Sequence, residues 1–256
     1  DAVADQQIGI LKSEGVVVSG IKLIGDAESG QAYILIDRDG RNVINTLFGA
    51  NLKLTPDDLK TGEICRLFTE SSVVALIDPP LEIIEAAVTF AKKERKVVAW
   101  DAGVRSTLGM EKLGKVLKNL DYLVVNQVET RNITGEEEPA KAWRKLSAIN
   151  NHLKLIVKLG EKGCSLVTSE RTVTVPGVNL EKLGLKAVNT VGCGDAFLGM
   201  FAAQKSMGLG DEECLDWANL AGALKATKFE TRGSPTKIEF EKYLVHKRAG
   251  VTVKVA

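Results

Sequence analysis

With 256 residues, 45% of them apolar and 26% charged, the chain has the composition of a globular protein large enough for one substantial domain or two small ones. Its net charge is +1, basic residues alternate with acidic ones as in KKERK at 92–96, and no apolar run nears the roughly 18 residues of a membrane span, so neither nucleic acid nor a membrane is an expected partner. The four cysteines (Cys65, Cys164, Cys193, Cys214) lack metal-ligand spacing and the two histidines are His152 and His246, which argues against a zinc site or a histidine triad and for reduced thiols in a cytoplasmic protein.

Residues 1–14 carry apolar positions at Val3, Ile8 and Leu11 and stop at Gly15, the pattern of a helix. Two β-rich runs, 31–36 and 43–48, flank residues 37–41, whose Asp39-Gly40 centre is a hairpin signal. The pair is short of bulky core residues and is expected to stand off the body as a flap. Thr55-Pro56-Asp57-Asp58 reads as a helix start, with a capping Thr and Pro at the first position. From there strands and helices alternate: strands at 73–77, 97–100, 122–125 and 155–159, helices at 81–93, 108–120, 129–133 and 139–150. Continuous apolar strands alternating with helices predict a mostly parallel sheet covered on both faces. Segments 164–168 and 172–175 are close together and are expected as an antiparallel edge. Helices follow at 212–229 and 235–247, the latter with Ser234 available as a cap, and the tail 251–256 is expected as a strand or disordered. With no repeat or linker, one α/β domain is expected over residues 1–256.

In such a sheet, ligands lie beyond the carboxyl ends of the strands. The polar residues there are Asp78, Asp101, Asn126 and the Gly160-Glu161-Lys162-Gly163 loop. Gly192-Cys193-Gly194-Asp195 then opens a helix whose Phe197, Leu198, Phe201 and Ala202 recur at helical spacing. Backbone N–H groups of such a turn can approach an anion unobstructed, and the helix N-terminus adds about half a positive charge. A carboxylate beside an anion cradle suits phosphoryl transfer to a hydroxyl: the cradle holds the moving charge and Asp195 accepts the proton. Cys193, at a helix N-terminus, is expected to have a lowered thiol pKa and to react with thiol reagents.

These motifs, in this order, resemble the ribokinase-like carbohydrate kinase family, which includes nucleoside kinases. Asn189-Thr190-Val191-Gly192-Cys193-Gly194-Asp195-Ala196-Phe197 is similar to the family's Asp-Thr-x-Gly-Ala-Gly-Asp-x-Phe signature. Asn126-Gln127-Val128-Glu129, followed by Thr134-Gly135, resembles its Asn-x-x-Glu motif. Val157-Lys158-Leu159-Gly160-Glu161-Lys162-Gly163 resembles its Thr-Leu-Gly-x-x-Gly nucleotide loop. Ser29-Gly30, the hairpin and Gly49-Ala50-Asn51 resemble part of its lid. Asp101 with Arg105 resembles an Asp-x-x-x-Arg pattern of some sugar kinases, and Thr231-Arg232-Gly233-Ser234 falls where the family has a loop near the adenine and a monovalent cation.

The resemblance implies a three-layer α/β/α, mostly parallel sheet with a small β lid at 30–51, and ATP-dependent transfer of the γ-phosphoryl group to a hydroxyl of a sugar, sugar acid or nucleoside. It implies Asp195 as general base and the backbone of Gly192, Cys193 and Gly194 as anion hole. Asn126 and Glu129 would act through Mg²⁺ and its waters. Lys158, Gly160, Gly163, Asn219 and Gly233 would lie on the nucleotide side; Asp78, Asp101 and Arg105 would meet the acceptor. The exposed hairpin can pair with another copy, leaving a homodimer through the lid open.

Four departures stand out. Asn189 replaces the signature's opening Asp and brings no charge to the cation loop, so potassium dependence stays open. Cys193 stands for the central Ala, and Lys158 for the usual Thr. The family's opening strand, sugar-binding Asp or Asn and Gly-Gly/Asn segment are not found before Asp1: either the chain is partial or its acceptor site differs, and the acceptor stays unnamed. That motivates an alternative reading, a catalytically weak regulator that binds nucleotide or sugar. A dehydrogenase-like dinucleotide binder fares poorly, because no Gly-x-Gly-x-x-Gly follows an opening strand.

Overall fold

The computed structural model describes residues 1–36 and 42–248, so the Asp39-Gly40 hairpin centre and the 251–256 tail lie outside the described residues. The chain divides into two compact units, one of residues 1–72 with 79–96, the other of 73–78 with 97 onward.

In the first unit, helix α1 (Ala2–Ser13) is capped by Asp1, whose carboxylate accepts from Ala4 N at 2.8 Å and Ser29 N at 2.6 Å. Strands β1 (Gln31–Ile36) and β2 (Asn42–Leu47) pair antiparallel in their own two-stranded sheet, with Gln31 opposite Leu47. Tyr33, Leu35, Val43 and Leu47 share one face of it and are exposed. The helix start expected at Thr55-Pro56 is displaced. Asp58 accepts from the N–H and hydroxyl of Thr55, at 2.7 and 2.9 Å, and pairs with Lys22, so this stretch forms a turn. Helix α2 begins only at Gly62 and runs to Glu70. Helix α3 (Leu81–Lys93) buries Ile83, Ile84, Ala87, Val88 and Ala91, an apolar stripe at helical spacing.

The second unit is built on a six-stranded sheet in sequence order: β3 (Val73–Ile77), β4 (Val97–Asp101), β5 (Tyr122–Asn126), β6 (Lys154–Lys158), β7 (Gly163–Val167) and β8 (Thr172–Pro176). The first four strands are parallel and the last two antiparallel, as the spacing predicts. Helices α4 (Gly109–Asn119), α5 (Gln127–Thr134) and α6 (Pro139–Ser147) lie between strands; α7 (Cys193–Ser206), α8 (Asp211–Ala226) and α9 (Lys237–Arg248) follow. One sheet face, with Ala99, Tyr122, Val124, Ile156, Leu166 and Val175, packs on Phe197, Leu198 and Phe201 of α7 and Leu215 and Ala218 of α8. Leu123, Val125, Leu155 and Val157 point the other way and are equally buried, as are Ile133, Ala142 and Leu146 of the intervening helices. The result is the expected three-layer α/β/α arrangement around a mostly parallel sheet.

Two helix boundaries differ from expectation for identifiable reasons. Helix α8 ends at Ala226 rather than 229, because the Phe229 carbonyl is turned out to accept Asn189 Nδ2 at 2.7 Å. Helix α9 is started by Thr236 rather than Ser234: Glu239 Oε2 accepts from Thr236 N at 2.7 Å while Thr236 Oγ1 accepts from Glu239 N at 3.3 Å.

One polar network ties this core together. The Asp211 carboxylate, at the start of α8, accepts from Tyr122 Oη, Lys154 Nζ and Lys205 Nζ, each at 2.6 Å. Burial pushes Asp211 up, but these charge-assisted hydrogen bonds outweigh it and hold its pKa at about 2. A carboxylate depressed from 3.8 to about 2 contributes stability above its unfolded pKa and loses it as the pH falls toward 2, roughly 2 kcal/mol in all. Asp211→Asn should therefore be less stable than the native chain to urea at pH 7 by about that amount, with the gap closing below pH 4. A gap independent of pH would disprove the assignment.

Candidate active site

Register places polar residues side by side at the carboxyl end of the parallel strands. Ile77, just before Asp78, lies opposite Asp101, and Asn126 lies opposite Lys158. Asp101 is only 8% exposed, and its charge is met by Lys158, whose Nζ donates to Asp101 Oδ2 in an ion pair. A Cβ built on Gly194 would lie 3.2 Å from Lys158 Nζ and 3.7 Å from Asp101 Oδ2. The first turn of α7 thus approaches this pair as closely as a residue without a side chain allows.

That turn is held from behind. Gly192 caps α7 at φ +86°, and a Cβ there would sit 2.5 Å from the Thr231 carbonyl, so glycine is required twice over. Asn189 Oδ1 accepts from Val191 N at 3.0 Å while its Nδ2 reaches Phe229. The Cys193 N–H is donated to Thr190 O at 3.2 Å, so it does not face outward with its neighbours. The N–H groups of Gly194 and Asp195 have no acceptor within the helix, as at any helix start. Asp195 is exposed, yet the protein mass around it pushes its pKa up, Asp101 adds to this, and Lys158 opposes it.

The lowered Cys193 pKa expected from the helix N-terminus is not found. Burial pushes the thiol up; Lys225 draws it down and Asp195 pushes it up further, and burial prevails.

Asn126 and Glu129 form a capping box. Glu129 Oε2 accepts from Asn126 N and Oε1 from Asn126 Nδ2, both at 2.8 Å, and Asn126 Oδ1 accepts from Glu129 N at 2.9 Å. This starts α5 at Gln127, two residues before the expected 129. Burial raises the Glu129 pKa, Asp101 and Asp78 push in the same direction, and the Asn126 N–H and Lys158 oppose them.

Asp78 shows strain. It is a non-glycine residue at φ +46°, and its Oδ1 is buried without a hydrogen-bond partner. A Cβ on Gly103 would come within 2.6 Å of that carboxylate. Burial raises the Asp78 pKa; Asp101 and Asp195 add to it, while the Val104 N–H and Arg105 oppose it. Asp78, Asp101, Arg105, Glu129, Lys158 and Asp195 therefore share one electrostatic neighbourhood.

The residues expected on the nucleotide side divide. Gly160, at φ +62°, has open space where a Cβ would point. Gly163, at φ +94°, needs its missing side chain for packing: a Cβ would be 2.1 Å from Val175 O. Asn219 is buried and its Nδ2 donates to the Val175 and Pro176 carbonyls at 3.3 and 3.4 Å, supporting the end of β8. Gly233 is buried in a tight turn, with its N–H on Glu230 O at 3.1 Å. One residue behind the α7 turn was not anticipated. Lys225 is fully buried, with Nζ 3.2 Å from Asn189 O. Its signal is its phase: with Cys214, Ala218 and Ala221 it completes a buried stripe at helical spacing.

The chain is similar to known carbohydrate kinases. The family model "pfkB family carbohydrate kinase" matches residues 1–238. The deoxyribokinase of Salmonella typhimurium is 29% identical over 256 residues, covering 95% of this chain and 78% of that one. The ATP-dependent ribose-1-phosphate kinase of Halopiger xanaduensis is 26% identical over 240 residues, covering 92% of this chain and 76% of that one. Among solved structures, the ribokinase of Thermotoga maritima has a TM-score of 0.79 at 26% identity, over 96% of this chain and 78% of that chain. With the matching model spanning nearly the whole sequence, the chain belongs to the pfkB family of carbohydrate kinases.

Proposed function

We propose that the chain transfers the γ-phosphoryl group of ATP to a hydroxyl of a sugar, sugar acid or nucleoside. The observation that carries this reading is the meeting of the α7 start, bearing Asp195, with the Lys158–Asp101 pair beside Gly194. In the proposed step the Asp195 carboxylate takes the acceptor's hydroxyl proton. The acceptor oxygen bonds to the γ-phosphorus, and the bond from phosphorus to the ADP oxygen breaks. The raised pKa of Asp195 makes it a better proton acceptor than an ordinary surface carboxylate. The N–H groups of Gly194 and Asp195, and the dipole of a 14-residue helix behind them, would hold the transferring charge. The Cys193 N–H, donated to Thr190, would help by fixing the turn.

Lys158 would neutralise charge near the phosphates and Asp101 would fix its ammonium. Gly160 and Gly233 would form part of the nucleotide side, with Gly163 and Asn219 supporting that side through β8. Asp78, strained and with an orphaned oxygen, would bond an acceptor hydroxyl, and Arg105 would lie beside it. Mg²⁺, when bound, would neutralise the phosphate oxygens. Asn126 and Glu129 fit it through water: both Glu129 oxygens already accept hydrogen bonds, and among the described residues no three His, Cys, Asp or Glu side chains form a direct cage.

Relatives named for deoxyribose and ribose-1-phosphate support a sugar acceptor, and the second of them supports ATP as donor. We take residues 30–51 as the lid of one ribokinase-like domain, and the exposed face of Tyr33, Leu35, Val43 and Leu47 as the surface through which two copies would pair. A cytoplasmic location suits four free cysteines, and no helix among the described residues is long and apolar enough to cross a membrane.

With an acceptor the native enzyme phosphorylates, Asp195→Asn should lower kcat by about 10²-fold or more and leave nucleotide affinity within about threefold. Turnover within tenfold of native would sink the base assignment. Cys193→Ala should keep native turnover, and iodoacetamide should alkylate Cys193 slowly at pH 7 and faster as the pH rises, because burial holds the thiol protonated. Rapid alkylation at pH 7 with loss of turnover would contradict this.

A further inference from the structure

Lys225 is a fully buried cation, and among the described residues no carboxylate lies within ion-pair distance of it. A buried charge without compensation is costly. Its compensation here is carbonyl oxygen. Nζ donates to Asn189 O at 3.2 Å and Lys228 O at 3.5 Å. It also sits in the last turn of α8, where the helix dipole favours positive charge.

The two carbonyls come from loops 39 residues apart, one leading into the α7 turn and one leaving α8. The same two segments are joined by Val188 N and Asn189 N on Ala226 O, at 2.7 and 3.1 Å, and by Asn189 Nδ2 on Phe229 O. The methylene next to the ammonium lies 3.2 Å from where a Gly192 Cβ would be. The ammonium therefore stands directly behind the turn that carries Asp195, and its field reaches that turn, since it draws the Cys193 thiol down.

A pair of converging carbonyls with one monovalent charge between them is what a bound alkali cation would need. The residues do not fit a free ion as well. The neighbouring side chain is the neutral amide of Asn189, already bonded at both ends, and the position between the carbonyls is filled by an ammonium attached to the chain. We propose that Lys225 is a built-in monovalent cation, a positioning residue that orders the 189–195 turn and makes the enzyme independent of added K⁺. The proposal rests on the phosphoryl-transfer reading of that turn.

The test is a pair of titrations at constant ionic strength, KCl against choline chloride, on the native chain and on Lys225→Ala. Native melting temperature should be the same in both salts, and native turnover within about 1.5-fold, because no K⁺ site is left to add binding energy. Lys225→Ala should melt lower in choline and lose kcat by about tenfold or more with acceptor KM little changed, the signature of a misplaced turn rather than a lost contact. K⁺ or methylammonium should restore both in a saturable manner. A native melting temperature or turnover that climbs saturably with K⁺ overturns the proposal, and so does Lys225→Ala turnover within twofold of native in choline. If Lys225→Ala does not fold, the native titration decides. If the native chain phosphorylates no acceptor, the kinase reading fails, while the melting titration still judges the cation.

Discussion

A turn can present bare N–H groups to an anion only if other groups hold it in place, and in this chain the hold is the C-terminal end of α8. The Ala226 carbonyl accepts two N–H groups from residues 188 and 189, the Phe229 carbonyl accepts the Asn189 amide, and the Thr231 carbonyl closes on Gly192. These contacts require that α7 and α8 lie side by side, which Phe197, Phe201, Leu215 and Ala218 secure by packing on one sheet face. Removing the Gly192 conformation, the Asn189 amide or the Lys225 ammonium would therefore act on the same object, the orientation of the first turn of α7.

On the other side of that turn lies a concentration of like charge. Asp101 pushes up the pKa of Asp78, Asp195 and Glu129; Asp195 adds to the rise at Asp78, and Asp78 adds to the rise at Glu129. Lys158 opposes the rise at Glu129 and Asp195, and its ammonium is already on Asp101. Such an arrangement is unfavourable for folding alone. It is expected where cations, phosphate and a hydroxyl proton must be handled in turn. The positive φ and orphaned oxygen of Asp78 add local strain to the same cluster, a feature found preferentially at functional sites.

Much of this was legible in the sequence, for a definite reason. Continuous apolar strands and amphipathic helices carry their periods in the residue order, so the sheet, its antiparallel edge and the hairpin pairing could be read directly. The polar residues at the strand ends could also be placed, because topology brings those ends together. Properties that depend on tertiary surroundings could not. A helix N-terminus lowers a thiol pKa, but burial of Cys193 works the other way and wins. Asn126 and Glu129, three apart, read as residues acting through Mg²⁺ and its waters, and the backbone bonds show that capping also occupies them. Gly163 reads as a nucleotide-loop glycine, yet the approach of β8 alone demands it. Lys225 is a charged residue in the buried phase of an alanine-rich helix, and the partners that make its burial tolerable, carbonyls of two distant loops, carry no mark in the residue order.

The most direct measurement is ADP release by the full-length gene product with ATP and Mg²⁺, across a panel of pentoses, hexoses, sugar acids and nucleosides, with the phosphorylated acceptor identified by mass. At least one acceptor should give ADP and its monophosphate in equal amounts. A protein that binds ATP but forms no phosphorylated product with any of them would contradict the phosphoryl-transfer reading.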